Sequence, residues 1–184
     1  VGNRWVYESS EGSETAPVVE AWEVTRQEGN AFVLEIKQSY MSTGEGFEEV
    51  FVSANEGVSR SVHGTQNGTT GGAEPSFFLK VPLTAGASWQ NEDGRYAITA
   101  VDETVTVPAG TFTHCVEVTR WSTNGKVTVI TLYAPGVGMV QREESFPVIG
   151  GIGGFDAPQR SRTVLRLKEW TLTPPDAGEQ SPRS

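Results

Sequence analysis

The residues of this chain that could do nucleophilic, acid–base or metal chemistry are few and scattered. His63 and His114 are its histidines and Cys115 its single cysteine. His114 and Cys115 are neighbours, and a thiol beside an imidazole is a nucleophile–base pair only when the two side chains converge. Adjacent side chains on an extended strand point to opposite faces, so this pair does not converge. His114 alternates with Phe112, Val116 and Val118 and is expected on the apolar face, as a satisfied core or rim histidine. Cys115 shares the other face with Thr113 and Glu117 and is expected to be a small buried or half-buried thiol. A zinc site needs three or four ligands at suitable spacing, and the chain has no His-x-x-x-His or Cys-x-x-Cys pair. No metal site and no cofactor are expected.

The remaining chemical motifs reduce to structural ones. Asn91-Glu92-Asp93-Gly94 lacks the alternating acids and closing glutamate of a calcium loop and reads as a hairpin turn. Glu48-Glu49 and Glu143-Glu144 place adjacent carboxylates on opposite strand faces, where they read as solvated residues rather than as an acid–base pair. Gly150-Gly151-Ile152-Gly153-Gly154 has no following Lys-Ser/Thr and no helix to supply a positive end, so it is not a phosphate loop. There is no Gly-x-Ser-x-Gly elbow. No residue is nominated as catalytic.

The elements that must position anything this chain binds are strands. The organising stretch is Val101 to Val140: extended runs separated by Pro108-Ala109-Gly110 and by Asn124-Gly125, ending in Tyr133-Ala134-Pro135-Gly136-Val137-Gly138. Asn-Gly between β-rich runs is a strong hairpin signal, because a two-residue primed turn needs positive φ at both central positions. A two-residue loop there sets Val116 opposite Tyr133 and Val118 opposite Thr131, and a three-residue loop shifts that register by one. Both faces of these strands then carry apolar groups, so both should be at least partly covered. Pro135 stiffens its turn, and at least one of Gly136 and Gly138 should have positive φ or close contact with a neighbouring strand. Further strands recur at about ten-residue spacing from Trp5 to Leu172, with Ala31 to Tyr40 the cleanest: Phe32, Leu34 and Ile36 alternate with Val33, Glu35 and Lys37, one face buried and one largely wet. Phe77 to Leu83, interrupted by Pro82, reads as an edge strand or covering segment. No segment has a sustained helical period. The expected fold is all-β: a curved antiparallel sheet forming a half-barrel or barrel over residues 1–173, with little or no helix.

Residues Gly64 to Ser76 and the tail 174–184 hold no bulky apolar side chain and cannot repay ordering by burial, so both are expected to be mobile. The chain has 184 residues, enough for a real core, and a formal net charge of −9, which repels phosphate backbones and argues against nucleic-acid binding. No apolar run approaches the ~20 residues of a membrane-spanning helix. A single cysteine excludes an internal disulfide and says nothing of redox compartment.

The binding surface expected from this pattern is a concave apolar face carrying Trp5, Tyr7, Trp22, Phe32, Leu34 and Ile36, joined by an apolar loop containing Ile149, Ile152 and Phe155. Such a loop is costly in water unless it packs or meets a partner. The expected occupant is a hydrophobic small molecule, a lipid or an envelope protein. The competing expectation is that these side chains fill a closed core with the loop as a plug.

Short fragments carry a family resemblance: Gly2-x-x-Trp5-x-Tyr7, Val107-Pro108-Ala109-Gly110-Thr111-Phe112-x-x-Cys115, and Tyr133-Ala134-Pro135-Gly136-Val137-Gly138-Met139-Val140. Together they resemble a family of bacterial envelope proteins, sometimes labelled TapB-like, that is similar to the lipoprotein-carrier (LolA-like) half-barrels. The resemblance implies an extracytoplasmic location, periplasmic or at the outer membrane, a lipid anchor in the precursor and a curved antiparallel sheet. It brings no catalytic residues. The covering helices of the carriers have no counterpart in the sequence pattern. A lipocalin also opens with glycine and tryptophan, but as Gly-x-Trp, where this chain has Gly2-x-x-Trp5. The function expected is that of a non-catalytic binding module; an enzyme with a site assembled from dispersed residues is the alternative.

Overall fold

The computed structural model describes residues 1–10, 17–39, 46–61, 76–147 and 160–173. Within them the chain is strand and turn, with no helix. The strands are β1 (Arg4–Ser10), β2 (Val19–Glu28), β3 (Ala31–Gln38), β4 (Gly46–Ala54), β5 (Gly57–Ser61), β6 (Ser76–Lys80), β7 (Ser88–Asn91), β8 (Gly94–Val107), β9 (Gly110–Ser122), β10 (Thr128–Ala134), β11 (Gly138–Pro147) and β12 (Arg160–Thr171). They form one antiparallel sheet in the order β6-β5-β4-β3-β2-β1-β12-β11-β10-β9-β8-β7. Every ladder joins sequence neighbours except β1 with β12, which brings the two ends of the chain together. The sheet curls into a nearly closed barrel, and its edge strands β6 and β7 meet at one unsealed seam. Of the half-barrel and barrel forms expected, the barrel is the one realised.

The wall is built from pleat alternation. Ile98, Val118, Thr131, Arg142, Leu165 and Ser9 are successive register partners from β8 round to β1, and therefore share one face. Two residues along the strands, Trp89, Tyr96, Arg120, Val129, Glu144 and Thr163 make a second belt on that face. On β3, Phe32 and Leu34 face the interior while Glu35 and Lys37 pair with each other on the outside at 3.0 Å. On this strand the inner face is apolar and the outer face charged. The outer face of β3 is less wet than its pattern suggests, since Val33 is buried; a bulge in β2 between Val24 and Arg26 shifts the register beside it.

β8 and β9 are the longest strands, and their hairpin leaves the barrel wall. The ladder slips repeatedly between Ile98 and Val105, where Asp102 (φ 66°) and His114 (φ 56°) both adopt left-handed backbone. These bulges bend the hairpin so that Val107 and Cys115 pack with Leu132, Ala134, Val140 and Leu167, and Ala109 N–H donates to Leu167 O at 3.0 Å. The second face of the β10–β12 region is thus covered by strand. His114 departs from its expected place: the bulge turns it out of the alternation, its side chain is 75% exposed, and Nδ1 hydrogen-bonds the Asp102 carboxylate. Cys115, by contrast, is fully buried. Val101 and Glu103 belong to one continuous strand.

The Asn124-Gly125 register holds: Val116 pairs with Tyr133 and Val118 with Thr131. The strands part earlier than a two-residue turn requires. Ser122 N–H still donates to Val127 O at 2.9 Å, and Asn124 Oδ1 accepts from Lys126 N–H at 3.0 Å inside the wider loop. Gly136 and Gly138 have φ of 70° and 98°, so the turn after Pro135 uses left-handed backbone at both glycines.

Candidate functional site

Among the described residues, the interior side chains do not fill the barrel. They leave a cavity of about 420 Å³, within the range of small-molecule sites. Trp5, Tyr7, Trp22, Phe32 and Leu34, nominated from the sequence, all line it. Ile36 does not. It is 2% exposed, held between its register partners Trp22 and Phe47, and belongs to the core. Ile149, Ile152 and Phe155 lie outside the described residues, as do nearly all of the Gly64–Ser76 stretch and the tail 174–184.

The polar tips of the nominated aromatics are spent on the fold. Trp5 Nε1–H donates to Val137 O at 2.8 Å and Tyr7 O–H to Met139 O at 3.0 Å, which ties β1 to the β10–β11 turn and to the start of β11. Trp22 Nε1–H donates to Glu20 Oε2 at 3.1 Å, and the Trp22 ring lies tilted on Tyr7 with centroids 5.0 Å apart. What these residues offer the cavity is therefore apolar ring surface held in fixed orientation.

The other half of the wall comes from residues the sequence pattern did not single out. Phe51 of β4 meets Phe78 of β6 edge-on at 5.3 Å, and Phe78 reaches Tyr133 of β10 at 6.2 Å. Val58, Val118 and Val129 complete the apolar surface. The signal for Phe51 is register: once β3 and β4 pair as a hairpin, Phe51 sits opposite Phe32 and shares its face. Phe78 needs the barrel to close, which no local pattern shows.

Charged groups also face inward. Glu49, Asp93, Arg60, Arg120 and Arg142 line the cavity. This corrects the reading of Glu49 as a solvated strand residue: opposite Leu34 it points inside, its side chain is 14% exposed, and it pairs with Arg60 at 3.4 Å. Glu143 and Glu144 are likewise engaged, with Arg162 and with Arg142. Asp93, in the turn between β7 and β8, accepts Tyr96 O–H on Oδ2 at 2.8 Å and pairs with Arg120 at 3.5 Å; its Oδ1 is sealed from solvent without a partner among the described residues.

Burial raises the phenols on this wall. Tyr133 is pushed up to about 12, and Tyr7 well above the ordinary tyrosine value; Tyr96 is raised by burial and further by its bond to Asp93. All stay neutral at physiological pH, and none is moved towards a value suited to proton transfer there. Cys115 is also raised, by burial and then by Glu103, which disfavours the reactive thiolate. Among the described residues no group of His, Cys, Asp and Glu could hold a metal ion.

No family model and no curated protein matches the chain. Among solved structures it is similar to a crystal structure of a "putative lipoprotein" from Parabacteroides distasonis, at 14% identity over 92% of this chain and 95% of that one, with a TM-score of 0.44. At that level the similarity carries nothing about what this chain binds or where it resides. The resemblance drawn from the sequence fragments remains a resemblance.

Proposed function

We propose that this chain is a non-catalytic, extracytoplasmic binding module that holds a hydrophobic small molecule or lipid inside its barrel. The observation that carries the reading is the cavity of about 420 Å³, walled by Trp5, Trp22, Phe32, Phe51, Phe78 and Val118. Its apolar ring surface offers dispersion contacts to a ligand, and rings already held by hydrogen bonds lose little entropy on binding. The non-catalytic reading is supported by the buried phenols and thiol, whose raised values leave them poor bases and nucleophiles at neutral pH. The envelope location rests on the fragments around Trp5, Pro108 and Pro135.

The test is a titration of an environment-sensitive hydrophobic dye into the native protein at neutral pH. Saturable binding at one dye per chain, displaced by long-chain apolar compounds, is expected. Absence of saturable binding to folded protein overturns the reading.

A further inference from the structure

The cavity is apolar in area but not in charge. Arginines enter it from separate strands, Arg60 from β5, Arg120 from β9 and Arg142 from β11, while Glu49 and Asp93 are the acids beside them in the wall. Each arginine has a carboxylate near it, Glu49, Asp93 and Glu144 in turn, inside a chain of formal net charge −9. A guanidinium in an apolar chamber is costly unless its donors are used. Arg142 gives Nη2 to Glu144 at 2.9 Å, and Arg60 gives Nη1 to Glu49 at 3.4 Å.

Arg120 is the least satisfied of them. Its side chain is only 22% exposed, and its one ionic contact among the described residues is to Asp93 at 3.5 Å, too long for a strong hydrogen bond. The same Asp93 oxygen already accepts Tyr96 O–H. A guanidinium carries five N–H donors in a fixed fork, so the Arg120 fork is left for a partner within the cavity. Its neighbours reinforce it: Arg120 and Arg60 both act electrostatically on the Tyr96 hydroxyl, and Arg60 and Arg142 on that of Tyr133.

We propose that the occupant is an amphiphile with one anionic head, a carboxylate or phosphate monoester, seated on Arg120 with Arg60 and Arg142 near it, its apolar chain lying along Phe51, Val118 and Tyr133. The proposal rests on the ligand-binding reading above and narrows it. Both heads offer the paired, negatively charged oxygens that a guanidinium fork accepts bidentately.

The test is a calorimetric or dye-displacement titration of the full chain with palmitate, hexadecyl phosphate, methyl palmitate and hexadecylamine, each below its aggregation threshold. At least one anion should bind about tenfold or more tightly than methyl palmitate, the tighter anion assigning the head group, and hexadecylamine should bind no better than the ester. Arg120→Gln should abolish the preference while the ester keeps its affinity. Because that variant also removes a buried ion pair, Asp93→Asn supplies a check of opposite sign: with the competing carboxylate gone, the anions should bind several-fold more tightly and the ester unchanged. Equal affinity for ester and anions, or equal changes for all of them in both variants, overturns the head-group proposal and leaves apolar binding standing. No binding of any compound or of the dye overturns both.

Discussion

The indole N–H of Trp89 donates to the carbonyl oxygen of Phe77 at 2.7 Å, across the one junction where the barrel has no ladder. Asn91 Nδ2 donates to the same oxygen. The seam between β6 and β7 is thus held by side chains on a single backbone acceptor and by rings. Trp89 stacks on Tyr96 at 5.5 Å, and Phe78 and Leu79 pack on the cluster of Tyr96, Ile98 and Val118. Side-chain closure is weaker than a strand ladder and is the natural place for the barrel to open. The double variant Trp89→Phe, Asn91→Ala should therefore speed amide exchange in β6 and β7 selectively, by about tenfold or more if roughly 1–2 kcal/mol of closure is lost. Unchanged exchange there would mean that ring packing alone holds the seam.

Alkaline stability follows from the buried phenols. Tyr133 stands at about 12 when folded against an ordinary 10.0, and Tyr7 and Tyr96 are raised too. Each holds its proton more tightly folded than unfolded, so the unfolded chain binds fewer protons above about pH 10 and stability must fall with rising pH. The contribution is complete below about pH 10 and is lost as pH climbs through the folded values. Denaturant midpoints should be flat near neutrality and drop from about pH 10 upwards, with tyrosinate absorbance appearing together with unfolding. Ionisation of these tyrosines near 10 in a still-folded protein would contradict their burial.

How much of this was legible in the sequence differs by residue. The strand spacing and the turn residues foretell the meander, and Asn124-Gly125 foretells the pairing of Val116 with Tyr133, because widening the loop equally on both sides leaves the register unchanged. Trp5, Tyr7, Trp22, Phe32 and Leu34 were legible as an interior face because pleat alternation is local. Arg60, Arg120 and Glu49 were not, since a charge on a strand ordinarily marks the wet face. They become interior only when ring closure encloses that face, a property of the whole sheet. His114 was misread because bulges at Asp102 and His114 break the alternation, and neither residue is one that ordinarily announces left-handed backbone as glycine does.

The Asp102–His114 bulge invites a direct check. Left-handed backbone costs a non-glycine residue about 1 kcal/mol or more, and the exposed hydrogen bond to Asp102 returns little of it. His114→Gly should raise the melting temperature by roughly 2–4 °C. A decrease would mean that the pair with Asp102 sets the bend of the β8–β9 hairpin.

Cys115 should behave as core. Its side chain is 0% exposed and its thiol is raised by burial. A thiol-reactive probe should label it on the timescale of unfolding, slowly in buffer and at once in denaturant. Rapid labelling of native protein would show that the hairpin tip around Val107 and Ala109 lifts off β12.

The central claim is that the interior is a chamber for an apolar chain. The most direct measurement is a crystal structure grown with a long-chain compound brominated at its apolar end, located by bromine anomalous scattering. The account predicts a bromine peak inside the barrel, in van der Waals contact with side chains among Trp22, Phe32, Phe51, Phe78 and Tyr133. Bromine found only on the outer surface, or an interior closed by the protein's own side chains in that crystal, would contradict it.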